Sequence, residues 1–197
     1  MKNVSRGTME RLEAYEALLR KWNSRINLVS SGTLSAFRTR HLEDSAQILE
    51  YIEAGRKTWA DIGSGGGLPG LVLAILSQDR DMSIMLVESD HRKAAFLRNA
   101  IRELEIKNAS VLSERVENLT PLNVENMSAR ALAPLDVLLG YASRHLRTDG
   151  TAWFLKGRTW RDEYATAKEK WQFQLDAFPS RTDPEAALLR ITGVSNA

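Results

Sequence analysis

The stretch WADIGSGGGLPGLVLAIL, residues 59–76, decides how this chain folds. Five glycines and a proline stand between two apolar runs. Glycine this dense costs backbone entropy, so a tight turn or a closely approaching ligand must require it. The run before the loop reads as a buried strand. PGLVLAILSQ reads as a helix with Pro69 at its first turn, where a missing N–H does no harm. A glycine loop at a strand-to-helix turn lies where open α/β sheets bind ligands. Its literal match to a dinucleotide fingerprint, Gly65-x-Gly67-x-x-Gly70, is out of position. The first glycine after the strand is Gly63, so the register is Gly63-x-Gly65-x-Gly67, with Asp61 just before it.

Asp61 bears on the class of ligand. A dinucleotide sets its pyrophosphate near a helix N-terminus, where amides and the dipole favour negative charge. A carboxylate at the strand end adds repulsion there. S-adenosylmethionine carries an ammonium and a sulfonium and no phosphate. A carboxylate beside the loop suits that cation, directly or through water; the alternative is that Asp61 only orders the loop. Glu88 closes the next apolar run, SIMLVE, 21 residues beyond Gly67. A carboxylate at that strand tip accepts two hydrogen bonds from a ribose diol. This supports an adenosine cofactor without separating NAD from S-adenosylmethionine.

The rest of the chain narrows the class. Its 197 residues suit one domain with a core that needs no disulfide or metal. Cysteine is absent, which removes disulfides, thiolate metal sites and cysteine nucleophiles together. His41, His91 and His145 are widely spaced and form no metal-binding pattern, so no metal is expected. No apolar run approaches the ~20 residues of a membrane helix, and the charged N-terminus lacks an apolar signal core. The expectation is a cytoplasmic protein with no membrane partner. A net charge of +2 permits a polyanionic partner without requiring one.

Met9, Leu12, Tyr15, Leu19 and Trp22 recur at helical spacing and predict an amphipathic helix over 5–23. Leu34, Phe37, His41, Leu42, Ser45, Ile48, Leu49 and Ile52 outline a second helix that ends before Gly55. From residue 58 the rhythm alternates. TWADI, SIMLVE, ASVLS, NMSARAL and GTAWFLK read as strands, interleaved with helices in PGLVLAILSQ, HRKAAFLRNAIRELE, PLDVLLGYASRHL and RDEYATAKEKW. QFQLDAF and AALLRIT end the chain as two strands around PSRTDPE. The pattern predicts an α/β fold: a mostly parallel seven-stranded sheet, helices on both faces and an antiparallel edge strand. Residues 1–55 form a helical cap on an α/β core at 56–197, within one domain spanning 1–197. Met82, Met85, Trp153 and Phe154 read as packing residues.

Several further segments carry a family resemblance. They are Trp22-Asn23-x-x-Ile26-Asn27-Leu28, Arg40-His41-x-x-Asp44-Ser45, the loop from Asp61 to Gly70 with its GGLPG ending, and Glu88 with Arg92-Lys93. Arg115-Val116-Glu117, Ser128-Ala129-Arg130-Ala131 and Leu155-Lys156-Gly157 follow in order. With these the chain resembles class I S-adenosylmethionine-dependent methyltransferases of Rossmann-like fold. More narrowly it resembles the RsmG (GidB) family, which methylates N7 of a guanine in small-subunit ribosomal RNA.

The resemblance implies cofactor contacts at Gly63, Leu68, Val116, Glu117 and Arg130, beside Asp61, Ser64, Gly65 and Glu88. Glu117 is alternatively a helix-start acid stabilised by the dipole. Arg130, the nearest candidate for a catalytic residue, meets the cofactor carboxylate or an RNA phosphate, or else forms a structural ion pair. His41 and Asp44 share a helical face, either as an acid–base pair or as a tie between the N-terminal helices and the sheet. Arg38, Arg40, Lys156, Arg158 and Arg161 are candidate RNA contacts that could track a phosphate backbone. The implied partner is 16S ribosomal RNA, within the small ribosomal subunit or an assembly intermediate, and the expected state is a monomer.

Guanine N7 already offers a lone pair, so its methylation needs alignment rather than a general base. Pyrimidine C5 chemistry through a cysteine adduct is excluded by composition. Where exocyclic-amine enzymes carry Asn/Asp-Pro-Pro-aromatic, this chain reads SARALAPL. The rival classes are an NAD-dependent oxidoreductase, a non-catalytic RNA-binding factor and a small-molecule methyltransferase.

Overall fold

The computed structural model describes residues 4–53, 55 and 57–197. The first three residues of the N-terminal stretch, and residues 54 and 56 beside the expected cap boundary, lie outside the described set. Helix α1 (Arg6–Asn23) starts at Ser5, whose hydroxyl accepts the Thr8 N–H at 3.2 Å. It turns Leu12, Tyr15 and Leu19 inward, as the periodicity predicts.

The single second helix expected over 34–52 is instead broken into short turns of changing pitch. A 3₁₀ segment (Ser31–Ala36) leads into a π turn (Arg38–Glu43), the short α2 (Asp44–Ala46) and another 3₁₀ turn (Gln47–Glu50). Buried polar side chains lie along it. His41, Asp44, Ser45 and Gln47 are all buried, and the Ser45 hydroxyl donates back to the His41 carbonyl at 2.7 Å, a bond that bends helices.

The remaining elements alternate as read: β1 (Thr58–Ile62), α3 (Gly70–Leu76), β2 (Ser83–Val87), α4 (His91–Glu103), β3 (Ala109–Leu112), β4 (Val124–Arg130), α5 (Leu135–His145), β5 (Leu146–Lys156), α6 (Trp160–Ala167), β6 (Trp171–Pro179) and β7 (Ala187–Asn196). They form one seven-stranded sheet in the order β3-β2-β1-β4-β5-β7-β6. Only β7 runs against its neighbours. The reversed strand therefore sits one place in from the edge, and β6 is the outermost strand.

Helices cover both faces. Trp59, Leu71 and Phe96 belong to the core under α1, α3 and α4, and Ile62, Leu138 and Phe154 to the core under α5. Burial on both sides explains the near-continuous apolar runs of β2 and of the second half of β5. Strand order reverses between β1 and β4, and a crevice opens at such a switch point beyond the carboxyl ends of the strands. Among the described residues no helix is long and apolar enough to cross a membrane, and no His/Asp/Glu group could hold a metal.

Candidate functional site

The loop after β1 has the register read from the sequence. Gly63, Gly65 and Gly67 adopt φ of +65°, +55° and +93°, a region that side chains with a Cβ avoid. Gly70 answers to space instead. A Cβ there would stand 2.5 Å from Asp61 Oδ2 and 2.5 Å from Leu86 Cδ2.

Asp61 lies beneath the loop with no solvent exposure. Its Oδ1 accepts the Ser128 hydroxyl at 2.6 Å and its Oδ2 the Gly70 N–H at 3.1 Å. Trp59 Nε1 completes the chain by donating to Ser128 Oγ at 2.8 Å. With no exposure and one bond to each oxygen, the Asp61 carboxyl orders the loop in this structure. Burial pushes its pKa up to about 6. Ser64 is likewise buried, its hydroxyl donating to the Asp61 carbonyl at 2.8 Å. Leu68 is buried in the core under α1 and α3.

A support that the sequence did not reveal comes from α1. The Tyr15 hydroxyl donates to the Gly66 carbonyl at 2.6 Å, wholly buried, and burial pushes its pKa upward. The helical cap thus grips the glycine loop directly. The clue was a phenol at a core-facing position, since a buried hydroxyl must find a partner.

Glu88, at the tip of β2, is 6% exposed. Its Oε2 accepts the Gly65 N–H at 2.7 Å and its Oε1 the Asp90 N–H at 2.8 Å. Beside it lies a cleft of about 100 Å³ whose walls include Gly63, Ser89, Val116, Glu117 and Leu132. Val116 is buried and its carbonyl accepts from His145 Nε2 at 3.1 Å. Glu117 is exposed and takes the Tyr141 hydroxyl at 2.6 Å. That bond, foremost, holds its carboxyl below the ordinary range.

A second cleft, of about 380 Å³, opens on the other side of the residues that follow β4. Arg40, His41 and Asp44 of the cap form one wall, Arg130 and Lys156 the sheet side, and Asp183 the β6–β7 hairpin side. Arg130 Nη2 donates to the Arg40 carbonyl at 3.0 Å and lies 3.8 Å from Asp44 Oδ2, whereas its buried Nη1 has no hydrogen-bond partner among the described residues. Asp44 Oδ1 also accepts from Ser180 Oγ at 2.9 Å, so Asp44 joins cap, sheet and hairpin. His41 is buried against Phe37, with ring centroids 5.3 Å apart. Burial, then the Arg130 and Arg40 charges, lower its pKa to about 4.

Leu132 and Ala131 separate the two clefts. Ala131 takes φ +50°, and Leu132 lies so close over Gly63 that a Cβ there would come within 2.5 Å of it.

The five candidate RNA contacts divide. Arg38, Arg40, Arg158 and Arg161 are exposed, Arg161 lying 4.4 Å over the Trp160 ring. Lys156 is a correction. Its side chain is only 9% exposed, pairs with Glu163 at 2.6 Å and donates to the Ala133 carbonyl at 2.9 Å. The ammonium clamps the segment after β4 and is not free for a phosphate.

Comparison with known proteins agrees in sequence and in fold. The sequence model of the GidB family, described as rRNA small subunit methyltransferase G, matches residues 8–184. The chain is 51% identical to the ribosomal RNA small subunit methyltransferase G of Paracoccus denitrificans, covering 99% of this chain and 100% of that one. It is 50% identical to the protein of the same name from Ruegeria pomeroyi, covering 98% and 95%. Among solved structures, a putative S-adenosyl-L-methionine-dependent methyltransferase of Methanococcus maripaludis superposes with a TM-score of 0.64 at 11% identity, covering 100% of this chain and 98% of that one.

Proposed function

The chain belongs to the ribosomal RNA small subunit methyltransferase G family, and from that premise we propose that it transfers a methyl group from S-adenosylmethionine to N7 of a guanine in 16S ribosomal RNA. The observation that carries this reading is the left-handed Gly63-x-Gly65-x-Gly67 loop with the Glu88 carboxylate docked on Gly65, between two clefts at the switch point. The residues present fit the cofactor. Each Glu88 oxygen spends one lone pair on a backbone N–H and keeps another for a ribose hydroxyl. Arg130 Nη1, buried and without a partner, suits a carboxylate oxygen.

In this reading Val116 and Glu117 border the adenine, while Gly63 and Gly65 let the backbone come close. When bound, S-adenosylmethionine supplies the electrophilic methyl and leaves as S-adenosylhomocysteine. The protein's own share is orientation. The larger cleft holds the base with N7 toward the smaller one, and Asp44, Arg130 and Lys156 keep the walls between them fixed. The N7 lone pair needs no deprotonation, and His41, depressed to about 4, stays neutral near pH 7. Arg38, Arg158 and Arg161 would lie along the RNA backbone. Residues 1–55 cap the core 56–197 within one domain. The protein acts as a monomer, in the cytoplasm, on the small subunit or an assembly intermediate.

The test is transfer of labelled methyl from the cofactor to small subunits that lack the modification, followed by nucleoside mapping. Label recovered as 7-methylguanosine from 16S RNA is the expected result. Transfer to another atom, or none despite cofactor binding, overturns the reading.

A further inference from the structure

The larger cleft presents three carboxylates, and their hydrogen bonds set them apart. Asp44 is closed: its side chain is 11% exposed, Oδ1 is taken by Gln47 and Ser180, and Oδ2 faces Arg130. Glu163 is committed to Lys156 and the Leu135 N–H through Oε2 and to Thr159 through Oε1. Asp183 differs. Its Oδ1 accepts the Glu185 N–H at 3.0 Å, which fixes the hairpin turn. Among the described residues its Oδ2 has only the Arg40 guanidinium, 4.0 Å away and beyond hydrogen-bond length. Both side chains are well exposed to the cleft, at 41% for Asp183 and 50% for Arg40.

An acceptor and a donor group so spaced suit a base edge that sets an amino donor beside an oxygen acceptor, as guanine's does. Guanine carries hydrogen-bond donors at N1 and N2 beside the O6 acceptor along its Watson–Crick edge, and the N7 lone pair lies next to O6 on the adjoining edge. Adenine, with an amino group at that edge and no 2-amino group, offers the opposite order. Resting on the guanine-N7 reading above, we infer that Asp183 Oδ2 accepts the 2-amino hydrogen of the target guanine while Arg40 donates to O6. The pair grips the base by N2 and O6 and leaves the N7 lone pair free for the methyl group. The sequence pointed to Arg40 as a phosphate contact; in this geometry it reads the base.

Asp183→Asn tests the inference, because the amide keeps an oxygen for the Glu185 N–H and replaces the free acceptor with a donor. Unmethylated small subunits are assembled with guanosine or with inosine, which lacks the 2-amino group, at the target position. The wild-type enzyme should prefer guanosine over inosine by about tenfold or more in kcat/KM. D183N should lose about tenfold to a hundredfold on guanosine, with the guanosine-to-inosine ratio falling toward one. Calorimetry with S-adenosylmethionine should give an unchanged Kd, which shows that the variant is folded. Asp183→Ser, which keeps a turn acceptor and removes the second oxygen, should lose the preference in the same way. A wild-type ratio retained by either variant overturns the inference alone. Failure of the wild-type enzyme to methylate N7 of the guanosine particle overturns the functional reading, and this one with it.

Discussion

Tyr15→Phe removes one oxygen atom, and the structure says what that atom does. The hydroxyl donates to the Gly66 carbonyl at 2.6 Å inside a site with no solvent exposure. A neutral hydrogen bond contributes about 1 kcal/mol net, and an orphaned buried carbonyl costs about 1–3 kcal/mol. The expected loss is therefore about 2 kcal/mol, or a fall of about 4–8 °C in Tm for a domain of this size. Because the lost bond orders the glycine loop, about half of that loss should recur on cofactor binding. That is about 1 kcal/mol, or about a fivefold rise in the Kd for S-adenosylmethionine. Urea denaturation gives the first quantity and calorimetry the second. Leu12→Ala is the control: it empties a fully packed site on the same helix at a cost of about 2–5 kcal/mol without touching the loop. Its Kd should stay within about twofold of wild type. If L12A weakens the cofactor as much as Y15F, or Y15F changes neither quantity, the hydroxyl does not hold the loop and the reasoning fails.

Other substitutions separate the roles assigned above. The folded Asp61 pKa of about 6 lies above the ordinary carboxyl value of 3.8, so the folded state holds that proton more firmly and loses stability as pH rises from about 4 to 6. His41, depressed from 6.5 to about 4, has the opposite sign: its stabilisation is present above 6.5 and is lost as pH falls toward 4. In wild type the two slopes oppose each other. Urea titrations of Asp61→Asn should expose the His41 slope, with stability rising between pH 4 and 6.5 relative to wild type, and parallel curves would refute the assignment. Gly70→Ala forces a methyl against Asp61 and Leu86 and should cost at least about 1–3 kcal/mol. Gly157→Ala, with open space around it, should leave Tm unchanged. Lys156→Met strands Glu163 and should cost about 3 kcal/mol, yet leave the salt dependence of RNA binding as it was. Arg158→Ala should lower that slope by about one, and equal slopes for both variants would reinstate Lys156 as a phosphate contact.

The alternation of strands and helices was legible because both faces of the sheet are covered. The central strands β1, β2 and β5 then read as short apolar runs, and α1, α4 and α5 as amphipathic helices. The loop register was legible too, since φ values at Gly63, Gly65 and Gly67 leave a direct mark on composition. The second helix was misread because apolar periodicity records which residues face inward and not the pitch between them. Buried His41, Asp44 and Ser45 break the helix into turns for contacts with distant partners such as Ser180, 136 residues away. Lys156 and Asp183 illustrate the same limit in the site. A lysine beside Gly157 reads as a solvated charge until Glu163 is found against it, and an aspartate in a turn reads as turn chemistry. Only the cleft shows that one of its oxygens is left over.

The Tyr15–Gly66 bond also fixes an order of events during synthesis. The two residues are 51 positions apart, so the helix that straps the loop leaves the ribosome before the loop itself exists. With α1 waiting, the apolar face bearing Leu12 and Leu19 stays uncovered until α3 and α4 arrive, a window in which a nascent chain is open to misassociation. Once β1 and α3 emerge, the phenol can close on the Gly66 carbonyl, before β2 to β7 exist to complete the sheet. The helices of the cap are thus made before the sheet they cover, and Asp44 and Glu50 within them wait for Ser180 and Arg181.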